Sequence, residues 1–321
     1  MNAFTTERAI GRLTLAGTIT VGLILTNVFL VPAPQARATF PGRNGAIAFA
    51  SRPTPTSEYD IFTIDAGGTA LTRLTDDAAR DSQPLWSPDG SRIAFTSTRD
   101  GNYEIYVMNA DGSNPVRLTN DPANDVQPSW SPDGNRIIYM NFRSGVPALF
   151  VMDADGTKRH QLTDPAVGGD GDPRYSPDGS KIVFDSLRTG HFAVWTMHAD
   201  GTHLRQITPD GLEAGMPDWS PNGNRIVFVD QICRTCTLAS NVYVVKADGR
   251  GLVRLTNDFG NNLMPGGSPD GNEIVFVHQP YPTLSPSDIY VMNADGNALT
   301  NLTDSPEVQG IYPDWQSRRE D

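Results

Sequence analysis

The sequence predicts an all-β protein, a six-bladed β-propeller of four-stranded antiparallel blades closed by its C-terminal strand. Three observations predict it. One β-rich unit recurs six times, with successive copies 44 to 48 residues apart. Each unit holds four short runs of β-branched and aromatic residues, separated by Asp-Gly and Asn-Gly pairs that supply the positive φ angles of tight turns. The first unit lacks its opening run, and the chain end carries a surplus one.

The opening run of a unit, strand a, ends in an aromatic followed by Ser-Pro-Asp-Gly. The copies are Trp86-Ser87-Pro88-Asp89-Gly90, Trp130 to Gly134, Tyr175 to Gly179, Trp219 to Gly223 (with Asn222) and Gly267 to Gly271, then a partial Trp315-Gln316-Ser317. A proline stands two residues before each anchor: Pro84, Pro128, Pro173, Pro217, Pro265 and Pro313. Strand b is an Ile-x-aromatic run, from Ile47/Phe49 to Ile274/Phe276. Strand c follows, as in Ile105-Tyr106-Val107-Met108, and a second turn, usually Ala-Asp-Gly, leads to strand d. The unit closes on Leu-Thr or Ile-Thr. No segment keeps a helical hydrophobic period.

Strands b, c and d occur six times from Ile47 onward. Strand a also occurs six times, but from Trp86 to Trp315. The segment Tyr312 to Gln316 is therefore expected to complete blade 1. Pairing the chain ends removes the open edges that invite aggregation.

The run Trp-Ser-Pro-Asp-Gly, Ile-x-Phe, Ile-Tyr-Val-Met-Asn-Ala-Asp-Gly and Arg-Leu-Thr resembles the WD40-like PD40 repeat of TolB-type propellers, over residues 40 to 317. The resemblance implies a periplasmic or other extracytoplasmic scaffold that binds proteins. TolB itself carries an α/β domain ahead of its propeller, whereas a short leader precedes the first blade here. The resemblance is thus to a TolB-like protein and not to TolB with its full Tol–Pal role. Similar propellers also occur in sugar lyases and in peptidases, so the alternative is a carbohydrate-active enzyme or a glycan-binding propeller.

Residues 1 to 38 differ in composition. Arg8 and Arg12 precede an apolar stretch from Leu13 to Val31, and Ala36-x-Ala38 offers the small residues signal peptidase requires. A Sec-type signal peptide cleaved after Ala38 is expected, leaving residues 39 to 321 as the propeller. The alternative is an uncleaved anchor, the only expected contact with a membrane. Removing the leader leaves 22 basic and 36 acidic side chains, a net charge of −14. Phosphate backbones and anionic lipid surfaces repel such a protein, which argues against nucleic acid as a partner. A protein or basic peptide is expected, an envelope component among the candidates, with the propeller itself a monomer.

Alternation of strand direction puts the a–b and c–d turns on one face and the b–c loops and d–a links on the other. The Asp-Gly turn acids (Asp89, Asp111, Asp133, Asp155) are expected to serve their own turns. The d–a links are irregular and acidic, with Arg80 the single basic residue. Asp81, Asp125 and Asp170 stand five residues before the anchor, and Asn262 takes that place in blade 5's successor. These four, with Asp172, are expected at the channel mouth, forming an electronegative funnel for a basic peptide. Tyr281, between two prolines in the last long b–c loop, is a further candidate contact. The competing expectation is that the acids cap local backbone groups.

No cofactor is expected. Calcium would require several oxygens converging at ~2.3–2.6 Å, which a ring of acids around a wide channel does not guarantee. Cys233 and Cys236, the only cysteines, are expected to pair in an oxidising compartment. Zinc would need two further ligands, and none is near in sequence. The chain has no Gly-x-Ser-x-Gly, no His-Glu-x-x-His and no phosphate-binding glycine loop. The expected activity is therefore binding and not catalysis.

Overall fold

The computed structural model describes residues 41–54, 56–230, 239–257, 260–280, 286–304 and 309–318. The leader, Cys233, Cys236 and Tyr281 lie outside the described residues.

Six four-stranded antiparallel sheets follow one another. In blade 2 the strands from inside outward are Asp81–Trp86, Arg92–Ser97, Glu104–Asn109 and Val116–Arg117. The next four blades open with Asp125–Trp130, Asp170–Tyr175, Ala214–Trp219 and Asn261–Gly267. Blade 1 takes its innermost strand from the chain end: Ile311–Arg318 pairs with Arg43–Ser51, and Trp315 lies opposite Ile47. The expected closure is thus present, and the strand extends beyond the expected segment at both ends. The one described helical element is a 3-10 turn, Pro165–Val167.

The repeated residues explain themselves through their bonds. Ser87 Oγ donates to Asp89 Oδ1 at 2.6 Å and accepts from Arg92 N at 2.9 Å, which locks the Ser-Pro-Asp-Gly hairpin. The closing threonine reaches 14 residues back: Ile105 N donates to Thr119 Oγ1 at 2.8 Å, and each blade repeats that bond. It satisfies a strand-c amide that the two-residue outer strand leaves without a backbone partner. The c–d turn glycine has a packing role as well. A Cβ on Gly112 (φ +84°) would sit 2.5 Å from Leu74 O of the preceding blade.

The core lies between blades. Ala48, Ala50 and Ile61 of blade 1 pack on Trp86, Ile93, Phe95 and Met108 of blade 2, and five equivalent clusters follow. Two of the anchor indoles also bond across these joints: Trp130 Nε1 donates to Leu85 O and Trp219 Nε1 to Arg174 O, each at 3.3 Å. Each buried aromatic of this size removes roughly 150–250 Å² from water. No blade could be stable without neighbours on both faces, so ring closure is a stability requirement. The C-terminal strand serves both joints it borders. Trp315 packs with Val275, Val277 and Ile289 of blade 6. Toward blade 2, Gln316 Nε2 donates to Gly90 O at 2.9 Å and Trp86 N donates to Asp314 Oδ2 at 2.8 Å.

Candidate binding site in the central channel

Each innermost strand is interrupted by a bulge next to its proline, seen as register shifts such as that between Ser82 and Leu85. The residue before each proline is left-handed although none is glycine. Gln83, Gln127, Asp172, Met216, Met264 and Tyr312 have φ from 46° to 56°. That conformation costs on the order of 1–2 kcal/mol per L-residue. The proline next in line has no N–H to lose from the broken ladder. The bulge aims these six side chains into the channel, which encloses about 550 Å³, part of it open solvent.

One side of this ring is a fixed polar chain. Thr96 Oγ1 donates to Gln83 Oε1 at 2.8 Å, and the same oxygen accepts from Gln127 N at 3.1 Å. Gln127 Oε1 accepts from Asp172 N at 3.1 Å, while Gln127 Nε2 donates to the Asp172 carboxylate. Asp185, on strand b of blade 4, accepts from Met216 N at 3.0 Å. Burial raises the pKa of both Asp172 and Asp185, further for Asp185, which also feels the Asp172 charge. The other side of the ring is apolar: Met216, Met264 and Tyr312, with Tyr312 N donating to Met264 Sδ at 3.3 Å.

Two residues further along each strand is a second ring: Leu85, Ser129, Arg174, Asp218, Gly266 and Asp314. Leu85, Arg174, Asp218 and Asp314 line both the upper space and a smaller one of about 310 Å³ toward the Trp130 and Tyr175 anchors. Asp218 is 5% exposed. Its Oδ2 accepts from Gly267 N at 3.0 Å, and its Oδ1 is enclosed without a hydrogen-bond partner. Burial pushes the Asp218 carboxyl up to about 6, against the opposing pull of Arg174. Burial likewise raises Asp314 to about 7, opposed by the Trp86 amide and Arg174 and assisted by Asp218.

The sequence expectation for the mouth needs correcting in its placement. Asp81, Asp125, Asp170 and Asn262 have no solvent exposure and do not line the channel space. At the start of their strands they point into the blade, where they bond the end of strand b or the loop that follows it. Asp81 Oδ2 accepts from Arg99 at 2.9 Å, Asp170 Oδ1 from Arg188 at 2.8 Å and Asp125 Oδ1 from Asn141 Nδ2 at 2.5 Å. Asn262 Oδ1 lies 2.9 Å from His278 Nδ1. Of the five mouth candidates only Asp172 faces the channel. Several link acids cap backbone instead, as Asp77 and Asp121 do for Ala79 N and Ala123 N. Among the described residues no three His, Cys, Asp or Glu side chains converge as a metal site would require.

The repeats match a family model described as the TolB β-propeller domain, at residues 35–141, 84–164 and 126–240, well over half of the chain. Among solved structures, TolB from Acinetobacter baumannii superposes with a TM-score of 0.74 at 23% identity, covering 85% of this chain and 67% of that one. A putative TolB from Agrobacterium tumefaciens gives 0.65 at 20% identity, over 81% and 89%. An oligogalacturonate lyase in complex with manganese gives 0.53 at 14% identity, over 81% and 85%. At these identities the superpositions show a shared fold. Six repeats, six sheets closed by the last strand and the family match lead to one conclusion: the chain belongs to the TolB β-propeller domain family.

Proposed function

We propose that this protein is an exported, non-catalytic scaffold that binds a protein partner through the irregular face around its central channel. The observation that carries the reading is the channel wall itself. Its side chains are held in place by bonds from neighbouring blades, and they combine an apolar arc with three carboxylates against one arginine. A rigid surface with apolar and acceptor groups suits a polypeptide carrying basic residues. The family supports a scaffold, and the leader supports export. No described helix is long and apolar enough to cross a membrane.

The test is capture from an envelope extract at rising ionic strength. A basic partner should bind less as the screening length falls from ~10 Å at 0.1 M to ~3 Å at 1 M salt. Retention that ignores salt would remove the electrostatic basis of the reading.

A glycan-processing role is the second reading, favoured by the buried Asp172–Asp185 pair, in which burial raises both carboxyls and Asp185 the further. Such pairs serve as general acid and base. Here both members also hold left-handed backbone amides or their side-chain partners, which is a structural occupation. Incubation with uronate-containing oligosaccharides, with and without manganese, should release no product; turnover abolished by Asp172→Asn would replace the scaffold reading.

A further inference from the structure

The two rings are in register, and three consecutive blades treat the channel differently from the rest. Around Gly266 of blade 6, Asp218 of blade 5 and Asp314 of blade 1 stand on either side. Two residues back along the same three strands are Met216, Met264 and Tyr312. The apolar arc thus stands directly above the acid pair, about 7 Å away along the strands. Arg174 belongs to blade 4, outside these three blades.

We propose that this sector of the channel is a socket for an aliphatic ammonium group, the lysine side chain of a protein partner, with its stem on Met216, Met264 and Tyr312 and its head between Asp218 and Asp314. The proposal rests on the reading that a protein docks at the channel and specifies what enters it. Three features point to such an occupant. First, Asp218 Oδ1 is enclosed with no well-aligned hydrogen bond, the only amides its carboxyl feels being those of Gly267 and the adjacent Trp219, a costly state unless a donor arrives. Second, each carboxylate spends one oxygen on a backbone amide of the next blade, at 3.0 Å from Gly267 and 2.8 Å from Trp86. That fixes the pair before any ligand binds. Third, Gly266 puts no side chain between the two acids. A Cβ there would make ordinary contact with Val275 Cγ1 at 3.5 Å and with Asp218 Oδ2 and Pro313 O at 3.8 Å, so a larger side chain would crowd the space.

A compact ammonium with three donors suits two acids better than a planar guanidinium, which needs a bidentate partner in its own plane. Methionines adapt to a flexible stem, and the Tyr312 ring adds a favourable face for the cation. The charged groups around the head are Asp218, Asp314, Arg174 and the Asp172–Asp185 pair above Arg174. A bound cation favours the ionised acids, so binding should release protons and tighten as pH rises from 5 to 8.

The test uses the chain from residue 39 onward and two probe peptides, acetyl-Gly-Gly-Lys-Gly-Gly-amide and its norleucine analogue, by titration calorimetry at low salt. The lysine peptide should bind at least tenfold more tightly, and acetylating its ε-amine should abolish the difference. Asp218→Asn and Asp314→Asn should each cut the lysine affinity tenfold or more. Gly266→Leu should block it while Gly266→Ala preserves it, with circular dichroism confirming that all four variants fold. Equal affinities for the lysine and norleucine peptides, or full lysine binding by folded Gly266→Leu, would overturn the socket. If equal affinities coincide with salt-sensitive capture of an envelope protein, the docking reading stands and the socket alone fails. If the lysine peptide binds as stated and no protein is captured, the socket stands and the docking reading fails.

Discussion

Replacing Asp125 by asparagine should stabilise the propeller at alkaline pH. Asp125 has no solvent exposure, and its Oδ2 has no hydrogen-bond partner. Its equivalents Asp81 and Asp170 each face an arginine, whereas Asp125 faces neutral groups, the Asn141 amide and the Thr119 hydroxyl. Burial raises its pKa from the ordinary 3.8 to about 7, with Asn141 and Thr119 opposing and the charges of Asp121 and Glu104 adding to the rise. The folded chain therefore binds a proton that the unfolded chain releases. Between pH 3.8 and about 7 the native state holds more protons than the unfolded one, so stability falls as pH rises through that window. That rise from 3.8 to about 7 corresponds to about 4 kcal/mol above pH 7. Asparagine imitates the protonated acid, keeps an oxygen for Asn141 and turns an NH₂ group toward the nearby carboxylates. The variant and the parent should melt together near pH 4. At pH 8.5 the variant should melt higher by on the order of 8 °C, taking about 2 °C per kcal/mol for a chain of this size. Calorimetry at the two pH values measures both. A variant no more stable than the parent at pH 8.5 would refute the assignment of a desolvated, unpaired acid to this joint.

Other outcomes follow from the same contacts. Trp315→Ala should cost about 3–5 kcal/mol, because it empties the joint between blades 6 and 1; an unchanged denaturation midpoint would contradict closure by the last strand. Thr119→Val should cost about 1–3 kcal/mol by leaving Ile105 N without its acceptor, whereas Thr72→Val, on an exposed outer strand, should be near neutral. N-terminal sequencing of protein recovered from the envelope or medium should begin at Thr39; a retained Met1 would indicate an anchor.

The fold was legible because its determinants are local and repeated. Trp-Ser-Pro-Asp-Gly fixes a hairpin by bonds within five residues, and the closing threonine acts within 14. Counting strands located the surplus copy at Trp315, and that count alone predicted the joint with Ile47. The channel wall was harder to see, yet it left a trace. Among residues that repeat in every blade, the positions on either side of the inner proline change from blade to blade: Gln83 and Leu85, Asp172 and Arg174, Met264 and Gly266. Positions that vary inside an otherwise constant motif are those the fold leaves free.

Sequence alone determined the number of blades, the closing strand and the chain's acidity, since each depends on short-range patterns or on a sum. The tertiary structure decided which acids meet solvent. Asp81, Asp125 and Asp170 looked like the funnel, but strand a begins with its side chain turned into the blade. The bulge at the proline turns Asp172 into the channel and brings Asp218 and Asp314 to either side of Gly266. Which way a side chain points depends on the backbone turn at the bulge, and its neighbours there come from other blades, 31 residues away or more. Neither quantity is written in any local stretch of the chain.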